Sequence, residues 1–70
     1  MKLSARNVLR GTIRKVELGA VNAEIVLEIA PGVEVVSVTT AESVARLGLS
    51  EGKTAYAVIK ASSVMVGVDH

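Results

Sequence analysis

The stretch Glu24-Ile25-Val26-Leu27-Glu28-Ile29-Ala30-Pro31-Gly32-Val33-Glu34-Val35-Val36-Ser37-Val38 decides the fold. In its first half Ile25, Leu27 and Ile29 share one face, the period of two that marks a half-buried strand. Ala30-Pro31-Gly32 then supplies turn chemistry, and a β-branched run resumes at Val33. In this second run both faces are apolar, with Val33 and Val35 opposed to Val36 and Val38. A strand of that kind is covered on both sides, which in so short a chain predicts a partner chain.

Working outward, Val8 to Leu18 reads as a long strand whose parity changes. Leu9 and Ile13 are apolar at odd positions and Val16 and Leu18 at even ones, so a β-bulge is expected near Arg14-Lys15. Gly19 and Asn22 punctuate the turn that follows. Thr54 to Lys60 and Val64 to Val68 read as two last strands, the second alternating through Val64, Val66 and Val68. One segment reads as helix. Thr39 and Glu42 have capping-box spacing, and Val44, Ala45 and Leu47 form an apolar stripe behind them. Gly48 stands at the C′ position with Arg46 in the last turn. The order strand, strand, strand, short helix, strand, strand predicts one domain over residues 1–70. It is an all-β chain with a small α element, an OB-like Greek-key β-barrel of five to six strands with one short helix.

Composition bounds the partners. Of 70 residues 13 are valine, none is cysteine, and Tyr56 is the sole aromatic. Without cysteine there is no disulfide framework, thiolate zinc site or iron–sulfur cluster. No apolar run reaches the length of a membrane span, and the start, Met1-Lys2-Leu3-Ser4-Ala5-Arg6, turns polar too early for a signal peptide. A cytoplasmic protein is expected. With a net charge of +1 and one aromatic, the chain lacks the basic groove and stacking platform of a nucleic-acid binder. Yet a domain this small buries only about 60% of its unfolded surface, and this one is too aliphatic for a single core to hide. Oligomerisation follows, because large apolar patches are rarely left exposed.

Catalysis finds no support in the residue types. His70 is the only histidine and the last residue, so no Ser/His/Asp or Cys/His arrangement can be built, and it is expected to be inert. The carboxylates are scattered singly at strand spacing, as solvated outer faces are, and no spacing suggests a site for a free metal cation. What remains is a set of donors without acceptors. Ser4-Ala5-Arg6-Asn7 puts a hydroxyl and a guanidinium beside extended backbone. Thr40 and Ser43 flank the first turn of the helix, where free N–H groups attract anions. Lys60-Ala61-Ser62-Ser63 ends a strand with an ammonium and two hydroxyls. Taken singly these are a surface arginine, ordinary capping and a snorkelling lysine. Together they describe a pocket for a fully deprotonated oxyanion, since no carboxylate is needed to accept a proton from the ligand.

These residues also carry a resemblance. Ser4-Ala5-Arg6-Asn7 followed by Gly11, Gly19-Ala20-Val21-Asn22-Ala23-Glu24, Thr40-Ala41-Glu42-Ser43 followed by Leu47-Gly48-Leu49, Gly52, and Ala57-Val58-Ile59-Lys60-Ala61-Ser62-Ser63-Val64 occur in an order and spacing similar to the molbindins, the Mop-type molybdate-binding proteins. Similar modules occur in molybdate-responsive transcription regulators and molybdate transporter ATPases. The resemblance implies an OB-like barrel assembled as a hexamer, a trimer of dimers, with molybdate or tungstate bound between subunits and no catalytic cofactor. It implies one kind of site from Ser4, Ala5 and Arg6, with Thr40, Ser43, Lys60, Ala61 and Ser62 contributing across the interface, so that Arg6 and Lys60 can come from different chains. It implies a second kind at the Gly19-Ala20-Val21-Asn22 turn. The expected function is storage or homeostasis of molybdate. The alternative is an oxyanion-sensing module that passes its bound state to a regulator or transporter. Neither a DNA-binding domain nor a P-loop lies within these residues, and Met1 suggests a complete chain, which favours storage over sensing.

Overall fold

The computed structural model describes residues 4–69. Four strands and one helix follow in the order β1 (Asn7–Leu18), β2 (Asn22–Ala30), β3 (Val33–Thr40), α1 (Ala41–Leu47) and β4 (Thr54–Ile59), with a single 3₁₀ turn at Ala61–Ser63. They form one antiparallel sheet in the order β3-β2-β1-β4. The long β1 serves two partners. Its first half, from Asn7 to Thr12, pairs with β4, and its second half, from Thr12 to Leu18, pairs with β2. That handover curls the sheet into a half-barrel of the expected OB-like type.

Two local devices make the curl possible. The register of β1 against β2 shifts between Ile13 and Lys15, the bulge that the change of parity predicts. Arg14 is the extra residue there, and it reaches the Glu28 carboxylate at 2.9 Å. Gly11 sits where β1 passes from one partner to the other. A Cβ at Gly11 would stand 2.7 Å from the backbone oxygen of Glu28, so only glycine lets the strands approach this closely. Inside the curl the core comprises Ile13, Ala23, Ile25, Leu27 and Val44, with Val16, Ile29, Leu49 and Ala55 packed against it. The face read from β2 is therefore the core face.

The helix starts one residue later than its capping box predicts. Thr39 remains paired with Ala23 in the sheet, and Thr40 is the cap, its Oγ1 accepting from the Ser43 amide at 3.0 Å. Of the expected stripe only Val44 is buried; Ala45 and Leu47 are exposed. The C-terminus closes as a Schellman motif on Gly48 (φ 64°), whose amide donates to the Ala45 carbonyl while that of Leu49 donates to Val44. Lys53 caps from outside, its Nζ donating to the Gly48 carbonyl at 2.9 Å. The following loop is pinned to the bulge, the Ile13 amide donating to the Lys53 carbonyl and the Gly52 amide to that of Ile13.

The largest departure is at the end of the chain. Five to six strands are expected and four are present among the described residues. Val64 to Val68 does not pair, and Met65, Val66 and Val68 are 94%, 90% and 85% exposed. Alternation records which face of a strand seeks cover but not which edge pairs with it, and no edge of the same chain meets this segment. The two-faced apolar character of β3 has the same outcome, with Val33, Val36 and Val38 exposed in the single chain. His70 lies outside the described residues.

Candidate functional site

The handover on β1 decides where the donor residues fall. Because Asn7 pairs with Ile59, the residues before β1 and those after β4 emerge side by side at one end of the sheet. They enclose an open pocket of about 230 Å³ lined by Ser4, Ala5, Arg6, Lys60, Ala61 and Ser62. The Asn7 side chain ties the two halves together, Nδ2 donating to the Ile59 carbonyl at 3.3 Å. Asn7 belongs to the quoted Ser-Ala-Arg-Asn motif, but its positioning role is visible only once the β1–β4 register is known.

The charge in this pocket is of one sign. Among the described residues neither Arg6 nor Lys60 has an acidic partner, the ion pairs being Arg14–Glu28 and Lys15–Glu17. No carboxylate lines the pocket. Two hydroxyls, an ammonium and a guanidinium thus line one pocket with no carboxylate among them. Both charged side chains of this pocket come from one chain, so the single subunit already brings Arg6 and Lys60 together.

Thr40 and Ser43 stand elsewhere. Thr40 pairs with Asn22 at the far end of the sheet, roughly 35 Å away along β1 at the usual rise per strand residue. Within one chain they cannot share a ligand with Arg6. They adjoin the other candidate group instead. The Gly19-Ala20-Val21-Asn22 turn closes with the Gly19 amide donating to the Asn22 carbonyl at 2.8 Å, and the Ala41 amide donates to the Val21 carbonyl at 2.8 Å. The Thr40 hydroxyl is engaged twice, accepting from the Ser43 amide and donating to Ser43 Oγ at 2.8 Å. The Ser43 hydroxyl keeps its own proton to offer. The eight residues expected in one site are therefore divided six and two between the ends of the subunit.

Among the described residues no group of three or more His, Cys, Asp or Glu could hold a metal ion, and no helix is long and apolar enough to cross a membrane. A further cavity, about 360 Å³, is the mouth of the half-barrel between the core and Tyr56.

The TOBE-domain family model matches residues 3–66. The chain belongs to the TOBE-domain family. This TOBE domain is 48% identical over 69 residues to a probable molybdenum-pterin-binding protein of Haemophilus influenzae, covering 99% of this chain and all of that one. Its fold is similar to that of a molybdate-binding protein from Sporomusa ovata, with a TM-score of 0.90 and 38% identity over 97% of this chain and the whole of the other. It is also similar to the cytoplasmic molybdate-binding protein ModG in a molybdate-bound form, with a TM-score of 0.93 and 54% identity. That match covers 99% of this TOBE domain and 49% of the ModG chain.

Proposed function

We propose that this chain binds molybdate or tungstate as the intact dianion, inside the cell, and stores or buffers it without changing it chemically. The observation that carries the reading is the Ser4–Arg6 and Lys60–Ser62 pocket, two positive charges and two hydroxyls with no carboxylate among them. The guanidinium of Arg6 offers a planar fork to two oxygens, and Lys60 adds a compact charge from the neighbouring strand. Both charged groups of the pocket can only donate to the anion, and no carboxylate lines it. It holds no histidine, cysteine or carboxylate beside its hydroxyls to activate one as a nucleophile.

The pocket is open, and its charged residues are exposed in the single chain. A neighbouring copy completes it, bringing the hydroxyls of Thr40 and Ser43 from the opposite end of its own sheet. The assembly is a hexamer, a trimer of dimers, whose apolar contacts come from faces such as Val36 and Val38. The Gly19–Asn22 turns, clustered by the same symmetry, form a second kind of anion site.

Selectivity follows from the donor set. Molybdate, tungstate and sulfate are fully deprotonated at neutral pH, whereas phosphate carries a proton that a pocket of two cations and no carboxylate accommodates poorly. Between sulfate and molybdate, a pocket fixed by the β1–β4 ladder favours the wider tetrahedron. Titration calorimetry with the four anions tests this. Molybdate and tungstate are expected to bind most tightly, sulfate more weakly and phosphate least. Equal affinity for phosphate and molybdate overturns the reading.

A further inference from the structure

The pocket at the Asn7 end holds an amine that is committed to nothing else in the chain. Among the described residues there are three lysines. Lys15 is paired with Glu17 at 3.4 Å, and Lys53 donates to the Gly48 carbonyl at 2.9 Å. Lys60 alone of them has neither an ion pair nor a side-chain hydrogen bond among the described residues. It is exposed, and it lines the pocket together with Arg6. Ala5 and Ala61 line the same pocket and offer only methyl groups. The pocket's volume of about 230 Å³ is that of roughly seven to eight waters, more than the four oxygens of one tetrahedral anion fill. There is room for a small substituent on the anion. Among substituted tetrahedral anions, one class best meets the demand for full deprotonation. Sulfate esters carry a single charge, and phosphate monoesters keep part of their second proton near neutral pH. In an acyl phosphate the electron-withdrawing carbonyl removes that proton well below neutrality, so the phosphoryl end is a full dianion.

We propose that the pocket also receives small acyl phosphates and that Lys60 is acylated by them, which switches the oxyanion site off. The inference rests on the reading of this pocket as a dianion site. The phosphoryl end takes the place of the oxyanion on the Arg6 guanidinium, and the short acyl group lies against the alanine methyls. The Lys60 ammonium gives one proton to water, and the neutral amine attacks the acyl carbon. A C–N bond forms, and the C–O bond to phosphorus's oxygen breaks with its electron pair leaving on phosphate. The second amine proton passes to the departing phosphate, and nothing is oxidised or reduced. The released phosphate carries a proton, the form this pocket accommodates poorly, so the product departs. The reaction is stoichiometric, because it ends on an amide. That amide has no charge and one N–H in place of three, and the pocket is left with Arg6 alone.

The test uses the full chain, acetyl phosphate as the probe and peptide mass spectrometry to follow each lysine. A neutral acetyl thioester, which has no phosphoryl group, reports the intrinsic reactivity of each amine. Relative to the thioester, acetyl phosphate is expected to favour Lys60 over Lys15 and Lys53 by at least about tenfold, the scale of one charge-assisted hydrogen bond. The rate at Lys60 should saturate with acetyl phosphate and fall when molybdate is added. Arg6→Ala should abolish the preference while the thioester still reacts, so a change in the amine itself is not the cause. Chain acetylated at Lys60 should lose at least about thirtyfold in molybdate affinity, as for removal of an enclosed charge. The same selectivity with both reagents, a rate that never saturates, or a preference that survives Arg6→Ala overturns the proposal. The first two outcomes are read on the wild-type chain and stand even where the variant does not fold. Titration calorimetry of the unmodified chain with molybdate separates the two readings. Molybdate binding without preferential acylation overturns the acylation alone. Arg6-dependent acylation without molybdate binding supports it and overturns the assignment of molybdate to the pocket.

Discussion

The two ends of β1 carry donors of different kinds. At the Asn7 end Arg6 and Lys60 are brought together by strand pairing and left without acidic partners. At the Leu18 end Thr40 and Ser43 are neutral, and most of their hydrogen-bonding capacity serves the helix they begin. The first end is built at the expense of local satisfaction, since two like charges line one pocket with no carboxylate to pair with them. The second is already satisfied within the chain. Unrelieved charge is what a ligand site leaves for its ligand, and satisfied hydroxyls are what a fold uses for itself. On the proposed function the first end is the binding determinant, with the second contributing shape and one spare proton from Ser43.

Removing a charge at the first end has the largest expected effect. Arg6→Ala and Lys60→Ala should each weaken molybdate by about 2–5 kcal/mol, the range for truncating one partner of an enclosed charge pair, or roughly thirtyfold to several thousandfold. Both variants should remain folded oligomers, with a ligand-free melting temperature equal to or above that of the wild type, because like-charge repulsion is relieved. Molybdate should no longer raise that temperature. Unchanged affinity by calorimetry would make these residues ordinary surface charges and remove the contrast between the two ends.

Gly11→Ala tests the element that connects the ends. Alanine would stiffen the unfolded chain and so stabilise by about 0.4–1 kcal/mol. Its Cβ, however, would stand 2.7 Å from a backbone oxygen of Glu28, which cannot swing aside. Overpacking of this kind costs about 1–3 kcal/mol and wins. Chemical denaturation should show the loss, and affinity at the Arg6 end should fall with it because the β1–β4 register shifts. A variant as stable as the wild type would mean that the handover on β1 tolerates a wider strand spacing.

Much of this arrangement is legible in the sequence, and the illegible part has a common cause. The bulge, the core face of β2 and the Gly48 cap are local consequences of periodicity and glycine chemistry, and each is found where the residues predict it. The cap at Thr40 rather than Thr39 is a contest between two adjacent threonines, decided by sheet pairing that extends one residue further than local spacing reveals. Val64–Val68 has a strand's pattern but no strand's partner, because alternation carries no information about the pairing edge. The donors behave likewise. Their chemistry is plain in Ser4, Arg6, Lys60 and Ser62, but the separation of Thr40 and Ser43 from them depends on long-range register.

Thr40→Ala addresses the second end alone. Loss of the cap should cost about 1 kcal/mol of stability, and Thr40→Ser should restore most of it because the hydroxyl that accepts from the Ser43 amide is kept. Affinity for molybdate should change by less than tenfold, the scale of one neutral hydrogen bond. A loss as large as that of Arg6→Ala would put the two ends on equal footing as binding determinants.

The smallest effect is expected at Asn7, where the two ends differ in how they are held rather than in charge. The bond from Asn7 Nδ2 to the Ile59 carbonyl is long at 3.3 Å and only partly buried, so its net contribution belongs at the low end of the usual range, about 0.5 kcal/mol. The backbone pairing of Asn7 with Ile59 survives replacement of the side chain. Asn7→Ala should therefore lower stability by no more than about 1 kcal/mol in denaturant titration. If the side chain positions the pocket, affinity should fall by a few-fold while the preference for molybdate over phosphate is kept, because the donors remain and only their spacing relaxes. The discriminating measurement is that ratio of affinities. Weaker binding with the ratio unchanged marks Asn7 as a tie between the Arg6 and Lys60 walls, whereas a collapse of the ratio would make its amide a donor to the anion and add a seventh residue to the first end.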